Sequence, residues 1–372
     1  MSTLNNIFST VTDLDNLLAS YRVVLRGKRG SSTATEIDYN LMSTMLELQH
    51  DLNTQTYSPL PYYSQYIYEP KRRYIQAPAF RDRIVHHAIH NIVMPFYDRH
   101  FIKDSYACRV GKGTHQAMRT VQRILHTYKH ETLYACKIDI SKYFASINHD
   151  KLKILLAEKI RDQRLLWLLS IIIDSTDSGT EHDYLFLPNS PYHTKGRRGI
   201  PIGNLTSQLF ANVYLHHADK YAKHRLKIRL YVRYMDDILF FHTDKDQLRA
   251  WQDAMTTFLR DELYLTINPH KVRLYPTRVG VDFVGYVIYH DHIRLRGSSV
   301  RRFKKRYRKQ LRAVKNGRLP IEKMHESFAA WSAHATYANA TGLIQQLESW
   351  QDEYLKPEKP IQLSLFDDEP PQ

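Results

Sequence analysis

Asp236 and Asp237 stand side by side between two apolar runs, in the segment LYVRYMDDILFF over residues 230 to 241. The alternation of apolar side chains on each side predicts two strands of a hairpin with the carboxylates at a tight turn. Adjacent aspartates repel each other unless something positive sits between them. A divalent cation answers that need, since Mg²⁺ takes carboxylate oxygens and leaves room for phosphate. A solvated Asp-Asp turn carries the same text, so Tyr234-Met235-Asp236-Asp237 alone leaves both readings open. A third carboxylate shifts the balance. Asp139 closes a β-rich apolar run within LYACKIDISKYF, residues 133 to 144. By itself it reads as a strand-end residue in a turn. With the later hairpin it gives the layout of a two-metal phosphoryl-transfer site, in which metals about 3.5–4 Å apart clamp the attacking and leaving oxygens. Asp139 and Asp236 are then the bridging ligands, and Asp237 is a neighbour that shapes the charge.

At these residues the chain resembles the reverse transcriptases, from about Asn16 to about Leu347. Asp139 falls where that family carries its first catalytic aspartate, and Tyr234 to Asp237 match its YxDD box. Between them, RGIPIGNLTSQ (198–208) matches the loop and helix that support template and incoming nucleotide. The resemblance implies an α+β right-hand polymerase with fingers, a palm bearing an antiparallel sheet, and a helical thumb. It implies two Mg²⁺ ions, replaceable by Mn²⁺, held by Asp139, Ile140, Asp236 and Asp237, with template RNA, RNA–DNA duplex and dNTPs as partners. Ile202 stands where most relatives have Gln, and Gln208 where many have Pro. That pattern resembles the reverse transcriptases of diversity-generating retroelements, which copy a template RNA with frequent errors at adenines and work with a small basic accessory protein. RGKRG (26–30), EPKRRYIQAPAFRDRIVHHAIH (69–90), DSYACRVGKGTH (104–115) and SFAAWSAHATYANA (327–340) lean the same way. Retron, group II intron and antiphage-defence enzymes share the core.

Composition agrees. The 372 residues hold one polymerase body with little left for another enzyme. Lys plus Arg is 53 against 38 for Asp plus Glu, a formal charge of +15 that suits a polyanionic partner. Cys108 and Cys136 are too few for a disulfide framework, and both are expected as core thiols in a reducing cytosol. Leu165 to Ile173 is far short of the ~20 apolar residues of a membrane helix, and MSTLNNIFSTVTDL has no basic region of a signal peptide. A cytoplasmic protein of a bacterium or phage, without membrane contact, is the expectation.

Four stretches follow. Residues 1–60 form a helical lead-in to the fingers, with Thr12-Asp13 capping a helix to about Leu25 and a second helix from Ile37 to Leu52. Residues 61–290 form fingers and palm: Pro59 to Pro70 reads as loop and extended chain, His149 to Thr176 as helix, Asn204 to Tyr221 as a long helix under the catalytic hairpin. Gln247 to Leu263 is a further helix, and Leu265 to Asn268 a strand. Residues 291–355 form the thumb, with a Ser299-capped helix dense in Lys and Arg laid on duplex phosphates, then helices from Ile321 to Tyr337 and Thr341 to Leu355. Residues 356–372 form a Pro-rich, acidic tail expected to be disordered. Within it Gln362, Leu363, Leu365 and Phe366 resemble the peptide by which bacterial polymerases bind the sliding clamp; a chance pentapeptide is the competing reading.

The remaining site residues come by resemblance. Arg73 and Arg81 grip the triphosphate, against a plain solvated basic face. Phe144, five residues after Asp139, stacks under the nucleotide sugar and clashes with a 2′-hydroxyl; a core aromatic reads the same. Gly203 and Tyr234 complete the nucleotide site with Ile202 and Gln208. Ile202 cannot hydrogen-bond as Gln does, which tolerates poor pairs. Lys271 protonates the pyrophosphate leaving group, a role worth ~10²–10⁴-fold. His86, His87 and His90 are read as packing and hydrogen-bonding residues of the fingers, since no Cys or second spaced His pair completes zinc geometry. Two rivals stand beside mutagenic copying: a defence or retron-like reverse transcriptase, and a non-catalytic RNA-binding scaffold.

Overall fold

The computed structural model describes residues 3–28, 30, 32–68, 72–176 and 196–356. They fall into two compact units, divided between Val279 and Gly280. The first opens with α1 (Phe8–Val11), α2 (Leu14–Leu25), α3 (Ser32–Tyr39) and α4 (Leu41–Thr54). Asp13 starts α2 by accepting from the Asp15 amide, as its type predicts. The single helix expected from Ile37 to Leu52 is two, because the chain breaks at Asn40. A hairpin follows, β1 (Tyr63–Ile67) with β2 (Arg73–Ala77), where the sequence suggested loop and extended chain.

The core is built on two helices. α5 (Phe80–His100) packs against α2, and α6 (Thr114–Thr127) follows it. After β3 (Tyr134–Asp139) come α7 (Tyr143–Ser146), α8 (His149–Ala157) and α9 (Gln163–Asp174). The helix expected over 149–176 is therefore divided. Asp162 divides it, for its carboxylate caps α9 through the Arg164 and Leu165 amides and also takes the Ile7 and Phe8 amides, both at 2.8 Å. α10 (Leu205–Lys220) is buried on almost every side, which makes it a central core helix packed on α5.

β4 (Leu230–Tyr234), β5 (Asp237–His242), α11 (Lys245–Leu263) and β6 (Arg273–Pro276) complete the unit. The sheet is antiparallel throughout, in the order β4-β5-β3-β6. Cys136, Ile138, Ile238 and Phe240 fill one continuous core with α8, α9 and α10. Residues 265–268 form no strand; Ile267 makes a lone bridge to Ile140. Cys136 is buried as expected, whereas Cys108 is exposed, because it lies in a surface turn at φ 54° rather than in an apolar element.

The second unit pairs a three-stranded antiparallel sheet, β7 (Val281–Phe283), β8 (Tyr286–Ile288) and β9 (Ile293–Leu295), with helices α12 (Gly297–Lys315), α13 (Ile321–Ala335) and α14 (Thr341–Leu355). Phe303, Tyr307, Leu311, Met324 and Leu347 form the core of the helices, and Trp331 stacks on Phe303 at 4.1 Å. α12 begins two residues before Ser299, with Arg296 at the capping position. No described helix is long and apolar enough to cross a membrane.

Candidate active site

The sheet brings two of the three carboxylates into direct register. β3 ends at Asp139, β5 starts at Asp237, and these residues are cross-strand partners. Tyr234 pairs with Asp237 in turn, which closes a two-residue loop of Met235 and Asp236. Met235 sits at φ 54°, and Asp236 does not share a positive φ. This is the sign pattern of a type II′ hairpin, whose first position favours glycine.

Two lysines answer the crowding of negative charge. Lys271 places Nζ 2.5 Å from Asp139 Oδ1, and Lys137 places Nζ 3.3 Å from Asp237 Oδ1. Lys271 is held there by the chain before it. The Asn268 amide donates to the Asp139 carbonyl at 2.9 Å, the Ser141 amide donates to the Thr266 carbonyl at 2.8 Å, and Asn268 caps the turn Pro269–Lys271. The bridge of Ile140 with Ile267 thus uses the flanking backbone groups of Asp139, Ser141, Thr266 and Asn268. Asp236 carries the strain of the cluster. Burial first, then the charges of Asp237 and Asp139, raise its pKa to about 6.

The donor set suits hard cations, since carboxylate and carbonyl oxygens are what Mg²⁺ and Mn²⁺ prefer. Among the described residues, no group of three or more His, Cys, Asp or Glu is drawn together as a metal cluster. What is present is Asp236, whose carboxyl is pushed up by burial and by the charges of Asp237 and Asp139, the electrostatic signature of a site wanting positive charge.

The loop before α10 is fastened at both ends. Gly199 donates to the Ile147 carbonyl at 2.8 Å, and Ile200 to the Phe144 carbonyl at 2.9 Å. His149 Nε2 meets the Gly199 carbonyl at 2.7 Å, which also accepts from Thr176 Oγ1. At the other end Gly203 has φ 121°, and a Cβ there would lie 3.3 Å from Ile75 of β2, so the hairpin rests on this glycine. Asn204 leaves α10 without a side-chain cap and donates to the Tyr62 hydroxyl at 3.1 Å instead. Ile202 and Phe144 are half-buried, as is Gln208 in the first turn of α10.

Other expected residues lie in separate settings. Arg73 is exposed at the start of β2, on the strand face that carries Ile75. Arg81 is committed elsewhere, paired with Asp51 and 5.2 Å over the Tyr57 ring. The Tyr234 hydroxyl accepts from Thr114 of α6 at 3.2 Å. His86 is buried and meets Thr206 Oγ1 at 2.8 Å, which ties α5 to α10. Gln362, Leu363, Leu365 and Phe366 lie outside the described residues.

Sequence reasoning missed the ground beneath the turn. Arg233, fully buried, binds Asp219 of α10 through both Nε and Nη2 at 2.7 Å. An arginine inside the run LYVRYM was the available signal, since a buried arginine requires a partner. Lys137, on the strand face that carries Asp139 and opposite to Cys136 and Ile138, was missed too.

Residues 69–288 match the family described as reverse transcriptase (RNA-dependent DNA polymerase). The chain is 25% identical over 331 residues to Protein YkfC of Escherichia coli K12, covering 76% of this chain and 82% of that protein. It is 29% identical over 173 residues to the group II intron-encoded protein LtrA of Lactococcus lactis subsp. cremoris, covering 46% of this chain and 26% of the relative. Among solved structures, apo telomerase from Candida tropicalis aligns over 82% of this chain and 64% of its own length, with 13% identity and a TM-score of 0.43.

Proposed function

The chain belongs to the reverse transcriptase family, and on that premise we propose that it is an RNA-directed DNA polymerase whose chemistry is carried by Asp139, Asp236 and Asp237. The observation that carries the reading is the register of Asp139 against Asp237, with Asp236 in the adjoining turn. The reaction joins a primer 3′-hydroxyl to the α-phosphorus of a dNTP and releases pyrophosphate. Asp139, Asp236 and Asp237, with the Ile140 carbonyl, would hold two Mg²⁺ ions, which when bound supply Lewis-acid stabilisation of the phosphoryl charge.

The protein's own groups do the rest. Asp236 must be without its proton to act, and its pKa of about 6 sets that condition near neutrality. Lys271, a half-exposed ammonium beside Asp139, supplies positive charge and a proton for the leaving pyrophosphate. Arg73 meets the triphosphate. Phe144, whose carbonyl holds the loop at Ile200, screens the sugar and excludes a 2′-hydroxyl. Gly203 lets the loop approach β2 closely. The sheet of β3 to β6 serves as palm, the hairpin of β1 and β2 as part of the fingers, and the α12 to α14 unit as thumb. Exposed Arg301, Lys305, Arg308, Lys309 and Arg312 on α12 supply phosphate contacts to a template–product duplex.

The finer reading is mutagenic copying for sequence diversification. It is supported by Ile202, a side chain without hydrogen-bonding groups in the nucleotide loop. A small basic accessory protein, and a sliding clamp bound through Gln362 to Phe366, are the proposed partners. The test is primer extension on a defined RNA template with Mg²⁺ and dNTPs, followed by sequencing of the cDNA. Errors concentrated at template adenines are expected, and Ile202→Gln should lower them severalfold. Accurate cDNA removes the diversification reading and keeps the polymerase; absence of extension removes both.

A further inference from the structure

We infer that Arg233 is a positioning residue that sets the catalytic turn against helix α10. Its guanidinium has five N–H donors in a fixed plane, and the structure gives each one an acceptor. Nε and one Nη2 hydrogen go to the two oxygens of Asp219, both at 2.7 Å. The second Nη2 hydrogen goes to Ser105 Oγ at 3.0 Å. Nη1 divides its pair between Asn212 Oδ1 at 3.3 Å and the carbonyl of Met235 at 3.1 Å. Four bonds therefore face the frame, and one faces the turn that carries Asp236.

The frame side is rigid. Asp219, Asn212 and Ser105 are all fully buried, and the first two lie on one face of the central core helix α10. Asp219 Oδ1 also accepts from the Tyr231 hydroxyl at 2.8 Å, so the carboxylate cannot swing away with its partner. The backbone of Arg233 is itself pinned. Its amide donates to the Asp104 carbonyl at 2.9 Å, and its carbonyl accepts from the Tyr106 amide at 3.0 Å.

The turn side is the one that needs holding. Met235 occupies φ 54°, a conformation that non-glycine residues adopt only when surrounding contacts impose it. Its carbonyl belongs to the peptide that leads into Asp236. A hydrogen bond from a buried guanidinium, itself bonded to α10, fixes that peptide plane and hence the direction in which the Asp236 carboxylate leaves the turn. Lysine cannot replace it, because three donors radiating from one nitrogen cannot span Asp219 and Met235 together. The role of Arg233 is one of aim: it touches no substrate, and it acts through Asp236.

The inference rests on the metal-dependent reading of the carboxylates, so its test needs a readout besides polymerisation. Mn²⁺ binding to the full chain, followed by electron paramagnetic resonance, supplies one. Arg233→Lys is expected to weaken Mn²⁺ binding about tenfold and to lower kcat for primer extension at least tenfold, with the KM for dNTP within twofold of the parent. A pair that serves stability alone would lower the thermal midpoint and leave Mn²⁺ affinity and kcat of the folded protein within twofold, and that result overturns the proposal. If Arg233→Lys does not accumulate as folded protein, Asn212→Ala takes its place. It keeps the bidentate pair and removes the oxygen that shares Nη1 with the turn, together with the bond that Asn212 Nδ2 donates to the Ala107 carbonyl at 3.0 Å. A threefold weaker Mn²⁺ affinity is expected, and an affinity equal to the parent's overturns the proposal. A wild-type chain that binds Mn²⁺ but extends no primer would defeat the polymerase reading while leaving the Arg233 comparison intact.

Discussion

Asp236 stands in a place that costs the fold something. Its pKa of about 6 exceeds the ordinary carboxylate value of the unfolded chain, so between about pH 4 and 6 the folded protein holds more protons than the unfolded one. Stability without added metal therefore falls as pH rises through that window and is flat above it. Asp236→Asn removes the penalty. It should raise the urea-unfolding free energy by about 1–2 kcal/mol at pH 7.5, with the gain vanishing below pH 4. Mg²⁺ should invert the ranking by stabilising the parent and leaving the variant unmoved, and a variant less stable than the parent without metal would contradict this electrostatic picture. Phe144 offers a second test at this scale. Phe144→Ala should raise ribonucleotide incorporation relative to dNTP by at least tenfold, read by competitive primer extension; unchanged sugar selection would reduce the ring to a packing role. The two aspartates in sequence and the third at a strand end were legible through their combination and the resemblance of their order to a known motif, since each alone also reads as an ordinary turn residue. Arg233 and Asp219 were not legible as a pair, since their meeting depends on how α10 lies under β4, and no local pattern encodes that.

Elements behave by the same economy of polar groups. Asp162 accepts four backbone amides, two from α9 and two from the start of the chain at Ile7 and Phe8. Asp162→Ala leaves all four without this acceptor, the Phe8 and Leu165 amides in buried settings, and should destabilise the first unit by roughly 2–4 kcal/mol, measured by urea unfolding. Asp162→Asn, which keeps an acceptor oxygen, should recover part of that loss, and equal effects of the two changes would show that the cap carries no hydrogen-bond energy. The apolar periodicity from His149 to Thr176 runs past this residue, which is why one helix was read where there are two. Asn40 broke the earlier helix for a similar reason, since the apolar spacing continues across it. The strand expected at 265–268 shrank to one bridge because the chain there turns to deliver Lys271 to Asp139. In each case a polar side chain or a turn interrupts a pattern that hydrophobicity alone would continue. The helices α2, α10, α11 and α14 carried both pattern and end signals, and they were read to within about two residues.

At the scale of the molecule, charge and topology together define the partner. The formal charge of +15 made a polyanion the natural ligand, and the exposed Arg and Lys of α12 give that charge a surface. If these residues contact phosphates, replacing Lys305 and Lys309 by alanine should reduce the salt dependence of duplex binding by about one unit of log–log slope per lost contact, with equal weakening across sequences. A slope equal to the parent's would remove α12 from the binding surface. The order of antiparallel strands, with β3 between β5 and β6, was not written in any single segment, because it follows from pairing of strands far apart in the chain, as Asp139 with Asp237. On the proposed mechanism the chemistry depends on that pairing, since it is what sets Asp139 against Asp237. The most direct measurement is extension of a primer on an RNA template by the wild-type chain and by Asp236→Asn, side by side with Mg²⁺. Extension by the parent with a loss of at least about 10³-fold in the variant is the predicted result. Equal extension by both would place the chemistry elsewhere in the molecule and contradict the assignment of this turn as the active site.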